Sequence, residues 1–267
     1  MPNSDADNLM SSERRRKILE TVNARRSVTV LDLAALYPVS AITIRRDLDR
    51  LAAEHFIERV HGGAMALSAI AVAPRASEQY QRLSDEQLRI GREAAARIRD
   101  GDYVVLESGS TCLAVVPALA EKKDLRVVTA SPRIVAALAD LVEKSGVSME
   151  IICSGGILNV YKNFLMGPHS RSLFEDSRVD AAFVSPTAVD LETGITADSM
   201  TEAEITRTIL TRSGRRRIGL VVSRKFGRTS FARIAPAQSF DEIITDSGID
   251  PVTAQKFRDS GIAVTVV

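Results

Sequence analysis

A chain of 267 residues with 45% hydrophobic and 26% charged side chains is long enough for a small domain joined to a larger one, each with its own core. Its 35 Lys/Arg and 34 Asp/Glu leave a net charge of +1, which excludes a bulk polycation, so any nucleic-acid footprint has to be local. No apolar run approaches the roughly 20 residues of a membrane span, and MPNSDADNLM lacks the charged-then-apolar pattern of a signal peptide; the expected location is the cytoplasm, with no membrane partner.

In chain order, Ser12 precedes Glu13-Arg14-Arg15-Arg16-Lys17 and then Ile18, Leu19 and Val22, which reads as a helix with one apolar stripe and a basic first turn. Cations at a helix N-terminus oppose the macrodipole, a misfit that nearby phosphates would relieve, so Arg14 and Arg15 are candidate DNA contacts. Asp32 is of the N-cap type before the short apolar helix of Leu33, Ala34 and Leu36, which Pro38 ends. Ser40 caps a second helix in which Ile44, Leu48 and Leu51 recur at i, i+4 and i+7, leaving Thr43, Arg45 and Arg46 off the apolar face. Those are types that read base edges in the major groove, Arg bidentate to guanine and Thr by hydroxyl or methyl. Asp47 would repel phosphate, so its expected task is to orient an arginine or to support helix packing. Phe56–Val60 is β-prone and Gly62-Gly63 a turn, a two-stranded wing bringing Arg59, His61 and Gly62 to the DNA backbone or minor groove.

An Arg-Arg pair alone is an ordinary solvated face. The helix, three-residue turn, Ser-capped basic helix and wing occur in order, and their agreement predicts a winged helix-turn-helix over residues 1–66 that binds double-stranded operator DNA. Between Glu13 and Gly63 there are 10 Lys/Arg and 7 Asp/Glu, too small an excess for bulk electrostatics to supply specificity; a homo-oligomer would double the contacts.

The uncharged stretch Ala64–Pro74 gives way to polar sequence, which places a linker at 67–80 and a second domain at 81–267. A helix from about Asp85 to Arg99, with Leu88, Ala95 and Ile98 inward, leads to the turn Asp100-Gly101. Then come a strand at Tyr103–Leu106, a helix at Cys112–Leu119, a strand at Arg126–Thr129, a helix at Ile134–Val142 and strands at Met149–Cys153 and Ala181–Val184. A helix near Glu202–Leu210, strands at Ile218–Val222 and Glu242–Thr245, a helix opened by Asp250-Pro251 and a strand at Ala263–Val267 complete the chain. Such alternation predicts an α/β domain with a largely parallel sheet. Its ligands bind at the carboxyl ends of the strands.

Those ends carry Glu107-Ser108-Gly109-Ser110-Thr111, Thr129-Ala130-Ser131-Pro132 and Ser154-Gly155-Gly156, with Lys225 just beyond a fourth strand. Small, hydroxyl- or glycine-rich rims on parallel strands predict a pocket for a polar anion. Cys112 and Cys153 form neither a CxxC pair nor a Cys/His cluster, and His169 stands alone; the cysteines are expected to be buried packing residues, with no metal and no cofactor.

TIRRDL from Thr43, the run RVHGGA ending at Ala64, ESGST from Glu107, SGG from Ser154, KFG from Lys225 and the ITD spanning Thr245 resemble the DeoR family of bacterial transcriptional regulators, from about Ser12 onward. The resemblance implies a repressor of a carbohydrate or polyol operon, dimeric or tetrameric. It also implies that the C-terminal sensor domain is similar to ribose-5-phosphate isomerase and binds a phosphorylated sugar or polyol effector. By position, Glu107, Gly109, Ser110 and Thr111 correspond to the family's Asp-x-Gly-Thr-Thr loop, Thr129 and Ser131 to its Thr-Asn-Ser, and Lys225 to its Lys-Phe. The chain departs from the pattern with Glu107 for Asp, Ser110 for Thr, Ala130 for Asn, and Val222 where Asp is frequent. The same scaffold hosts sugar-phosphate isomerases and acyl-transfer enzymes, for which Glu107 with Lys225 is the one acid–base pair in the sequence to nominate; isomerase chemistry wants more carboxylates near the sugar carbons, so a regulator is the preferred reading.

Overall fold

The computed structural model describes residues 4–25, 27–37, 39–53, 56–60, 62–66, 83–160 and 162–267. The chain divides into two units, Met1–Ala71 and Val72–Val267. The expected linker at 67–80, the helix stop at Pro38 and the wing residue His61 lie outside the described residues.

The first unit is built from α1 (Ser4–Arg25), β1 (Ser27–Thr29), α2 (Val30–Leu36), α3 (Ala41–Ala53), β2 (Ile57–Val60) and β3 (Gly63–Ala66). Ile18 and Val22 of α1, Leu33 of α2, and Ile44, Leu48 and Leu51 of α3 close one core with Val28, Ile57 and Ala64 of the sheet. Two sequence expectations need correction. The first helix starts at Ser4, not behind Ser12, so its arginines sit in mid-helix and the macrodipole argument does not apply to them. Asp32 is not the cap of α2. The chain runs extended through β1 first, and Thr29 takes the cap: its Oγ1 accepts from Asp32 N–H at 3.1 Å while Asp32 Oδ2 accepts from Thr29 N–H at 3.2 Å, a capping box. Hydrogen bonds from the Thr29 hydroxyl and N–H hold the Asp32 carboxyl below its ordinary range.

Ser40 does cap α3, accepting from Thr43 N–H at 3.2 Å. The expected wing is the antiparallel pair β2–β3, and β1 adds to it to give the order β1-β3-β2. The glycine pair serves both purposes of that turn. Gly62 has φ +79°, and a Cβ on Gly63 would lie 2.1 Å from the Val28 carbonyl oxygen, closer than two strands allow.

In the second unit α4 (Asp85–Ala95) precedes β4 (Tyr103–Leu106), the short α5 (Ser110–Leu113), β5 (Leu125–Thr129), α6 (Pro132–Ser145) and β6 (Met149–Cys153). A hairpin of β7 (Ile157–Asn159) and β8 (Phe164–Met166) leads to α7 (Pro168–Asp176) and β9 (Val179–Val184). After it come β10 (Ala188–Asp190), β11 (Gly194–Ala197), α8 (Met200–Thr208) and β12 (Gly214–Leu220), then β13 (Ala232–Ala235), β14 (Glu242–Thr245), α9 (Pro251–Asp259) and β15 (Ala263–Val266). Seven strands form one parallel sheet in the order β15-β14-β12-β9-β4-β5-β6. Alternate residues feed two cores, Val105, Val128, Ala182 and Val184 on one face and Val104, Leu106, Val127, Ala181 and Phe183 on the other. Burial on both faces is why these strands read as continuous apolar runs.

From β4 the chain winds outward through β5 to β6, returns to β9 on the other side of β4, and winds outward again to β15. The reversal between β4 and β9 is the topological switch point, where connections diverge and leave a crevice. The hairpin β7–β8, the helix α7 and the small antiparallel sheet β10-β11-β13 had no clear sequence signal; their strands are only three or four residues long. The expected helix at Cys112–Leu119 is two pieces, α5 and a 3-10 turn at Val116–Glu121 that takes Pro117 in its first turn. Leu88 is only half-buried, and Gln87, Ile90, Gly91, Ala94 and Ala95 form the inward face of α4 instead. Cys112 is buried as expected, whereas Cys153, on the edge strand β6, is exposed. No described helix is long and apolar enough to cross a membrane.

Candidate functional sites: a recognition helix and a sheet-end cavity

With Ile44, Leu48 and Leu51 turned into the core, the helical period puts Ile42, Arg45 and Arg46 outside, and all three are exposed. Among the described residues no acidic side chain pairs with Arg45 or Arg46. Ser40 and Thr43 are at the same end of α3, their hydroxyl oxygens 2.9 Å apart. The structure thus brings four of the expected DNA contacts onto one helix end.

Arg14 and Arg15 go elsewhere. Arg14 Nε lies 2.7 Å from Asp47 Oδ2 and Arg15 Nη1 3.8 Å from Asp47 Oδ1, with the Asp47 side chain only 6% exposed. Asp47 therefore orients two arginines, one of the two tasks expected of it, and joins α1 to α3. The partner is 33 residues from Arg14 in sequence, which no local pattern reveals. Gly62 lies at the wing turn, and the side chain of Arg59 is outside the described residues.

In the second unit a cavity of about 190 Å³ opens at the switch point. The β4 end supplies Ser108, Gly109 and Ser110, the β9 end Ser185, Pro186 and Thr187, the β7–β8 hairpin Asn159 and Lys162, and the start of α8 Ser199, Thr201 and Glu202, with Lys225 beyond β12. Glu107 lies buried at the base of the first loop. Its Oε2 accepts from Ser185 N–H at 3.0 Å and its Oε1 from the Thr206 hydroxyl. Burial pushes this carboxyl up to about 7, against the pull of the Thr206 hydrogen bond, with the nearby Glu202 charge adding to the rise. Lys225 Nζ donates to Ser185 Oγ at 3.2 Å and to the Pro186 carbonyl at 2.6 Å, and burial lowers its pKa. Ser185 accordingly meets Glu107 through its backbone and Lys225 through its side chain.

Gln87 holds the first loop from α4: its Nε2 donates to Ser110 Oγ at 2.6 Å and to Thr111 Oγ1 at 3.4 Å. Its own position is set by a capping box with Ser84, visible in the sequence as Ser84-Asp85-Glu86-Gln87. At the other wall Lys162 Nζ sits 2.6 Å from Asp198 and 3.6 Å from Glu202. Among the described residues Glu202 Oε2 is buried without a hydrogen-bond partner, and burial raises the Glu202 pKa.

Of the expected effector residues, Gly109, Ser110 and Lys225 line the cavity, and Glu107 and Thr111 lie buried beside those that do. The others lie off its wall. Ser131 N–H donates to Thr129 Oγ1 at 3.1 Å and Ser131 Oγ caps α6 through Ile134 N–H at 3.4 Å, so both serve the β5–α6 corner. Gly155 and Gly156 have φ of +67° and +103°, and a Cβ on Gly156 would come within 2.5 Å of the Met166 carbonyl oxygen. The departure at Ala130 concerns a buried core residue whose carbonyl accepts from Leu165 N–H at 2.7 Å. Lys162, Ser185 and Glu202 were not anticipated; no motif marks them, because they lie on a hairpin, a strand end and a helix start that only the topology brings together.

A winged helix-turn-helix with exposed arginines on its recognition helix, joined to an α/β unit with a polar cavity at its switch point, defines a DNA-binding regulator that senses a small molecule. The chain belongs to the DeoR family: residues 14–69 match the DeoR-like helix-turn-helix domain and residues 83–247 the DeoR C-terminal sensor domain. It is 31% identical over 259 residues to the uncharacterized HTH-type transcriptional regulator YulB of Bacillus subtilis, covering 97% of this chain and 98% of that one. It is 29% identical to the HTH-type transcriptional regulator GolR of Listeria innocua, covering 95% and 98%. Among solved structures, ribose 5-phosphate isomerase A from Neisseria gonorrhoeae is similar over 54% of each chain, at 15% identity and a TM-score of 0.37. The protein is a transcriptional regulator.

Proposed function

We propose that this regulator is a homo-oligomeric repressor of a carbohydrate or polyol catabolic operon, released from its operator by a phosphorylated sugar or polyol bound at the β4/β9 crevice. The observation that carries the effector class is the charge pattern of the cavity. Lys225 and Lys162 supply cations for an anionic group, Ser108 and Ser110 hydroxyls to share it, and Glu202 a buried oxygen that faces Lys162 at 3.6 Å but accepts no hydrogen bond among the described residues, suited to a sugar hydroxyl. A volume of about 190 Å³ falls below the roughly 300–1,000 Å³ of drug-sized pockets and suits a small metabolite.

Paired recognition helices would span two half-sites, and the effector would favour an arrangement that misplaces them. Linkage then requires DNA to weaken effector binding by the same factor. The test is displacement of labelled operator by pentose, hexose and polyol phosphates and by the same compounds without phosphate. One phosphorylated compound should raise the operator Kd at least tenfold while its dephosphorylated form does nothing. If every phosphorylated compound leaves the Kd unchanged, or the free sugar acts as well as its phosphate, this effector class is wrong.

A further inference from the structure

Ile42, the second residue of α3, is 62% exposed, whereas Ile44 and Leu48 in the same helix are fully buried. A branched alkyl group that gains nothing from the core is common on protein surfaces and by itself means little. Its neighbours give it meaning. Residues three and four apart on a helix adjoin, so Ile42 stands beside Arg45 and Arg46, the exposed arginines of the same face. The hydroxyls of the first turn are already engaged with each other, since Ser40 Oγ accepts from Thr43 N–H and lies 2.9 Å from Thr43 Oγ1. Beside those partly engaged hydroxyls, the tip of α3 therefore offers a groove one exposed isoleucine flanked by two guanidinium groups.

The C5 methyl of thymine is the one alkyl group on the major-groove base edges, which otherwise present donors, acceptors and the small C5–H of cytosine. An isoleucine laid against any other edge desolvates polar atoms without replacing their hydrogen bonds. We propose that Ile42 is a specificity residue that reads thymine through its C5 methyl, next to base pairs contacted by Arg45 and Arg46. This rests on α3 being the helix that enters the groove.

Full-length protein first selects its site from a pool of random duplexes. Each thymine of that site is then replaced singly by deoxyuridine, which keeps base pairing and removes only the methyl. The expected result is one thymine per half-site at which the replacement weakens binding about fourfold, the effect of one buried methyl-sized group. Ile42→Ala should be insensitive there and should select sites that have lost the thymine preference at that position alone, while Ile42→Val stays sensitive. Because Ile42 is exposed, both variants should melt with the wild type. The proposal is overturned if no thymine is methyl-sensitive, or if Ile42→Ala keeps the sensitivity. Failure of the underlying reading looks different: Arg45→Ala and Arg46→Ala would then bind the selected site as tightly as wild type.

Discussion

The two units hold their functional charges in opposite ways. On α3, Arg45 and Arg46 are exposed and carry no acidic partner among the described residues, ready for phosphate or base edges. At the sheet end, Glu107, Glu202 and Lys225 are buried or largely so, and Lys162 and Lys225 are already engaged by Asp198, Glu202, Ser185 and Pro186. A surface that meets a polyanion can leave its cations in water, because the partner brings the counter-charge. A cavity for a small molecule has to keep its charges satisfied while empty, so its cations arrive with protein partners that a ligand must replace. Arg14 and Arg15 follow the second pattern although they lie in the DNA-binding unit, since Asp47 has already claimed them.

The sharpest challenge to that contrast is Asp47→Ala. Two partly buried guanidinium groups would lose their carboxylate, and the first unit should lose about 3 kcal/mol in urea unfolding. A loss below about 0.5 kcal/mol would mean that Asp47 holds nothing together. Next, Arg45→Ala and Arg46→Ala should each weaken operator binding by about 1–3 kcal/mol and binding to random DNA by less. Arg14→Ala, by contrast, should lower stability and leave the salt dependence of DNA binding nearly unchanged, because its charge is spent on Asp47. A salt slope that falls by about one unit in Arg14→Ala would return this residue to the DNA surface.

The buried carboxyl gives a smaller effect with a defined sign. Glu107 titrates at about 7 in the folded protein, above its ordinary value of 4.5. Between those values the folded state holds a proton that the unfolded state has lost, so stability should fall as pH rises from about 4.5 to 7 and level off above. Glu107→Gln should flatten that slope for the sensing unit; an unchanged slope would place the titration elsewhere. Smallest of all, Lys162→Met should weaken effector binding less than Lys225→Met, because Lys162 is more exposed and shared between two carboxylates. Isothermal titration with the effector identified by operator displacement would rank them.

What could be read in the sequence follows the same division. Ile44, Leu48 and Leu51 repeat at a helical period, so the recognition helix and its outward residues were legible, and the apolar runs of β4, β5 and β9 announced a sheet buried on both faces. Lys162 belongs to a hairpin whose strands are too short for a period, and although a helix around Glu202 was legible, nothing local in the sequence brings the two residues together. The ion pair of Arg14 with Asp47 was not legible for a related reason: charge patterning shows where cations are, and nothing of a carboxylate on another helix. Thr129 and Ser131 were expected at the ligand because hydroxyls at a strand end suit an anion, yet such hydroxyls also suit the local backbone: Ser131 caps α6 and Thr129 accepts from the Ser131 N–H. Gln87 was the missed opportunity, since Ser-x-x-Gln before an apolar-faced helix is a readable start signal.

The decisive measurement is the ratio of affinities for the selected site and for random DNA, at fixed salt, in wild type, Arg45→Ala and Arg46→Ala. A helix that reads bases through these groups predicts that the ratio falls at least fivefold in either variant. A ratio unchanged in both, with the proteins folded, would contradict it and remove α3 from the groove.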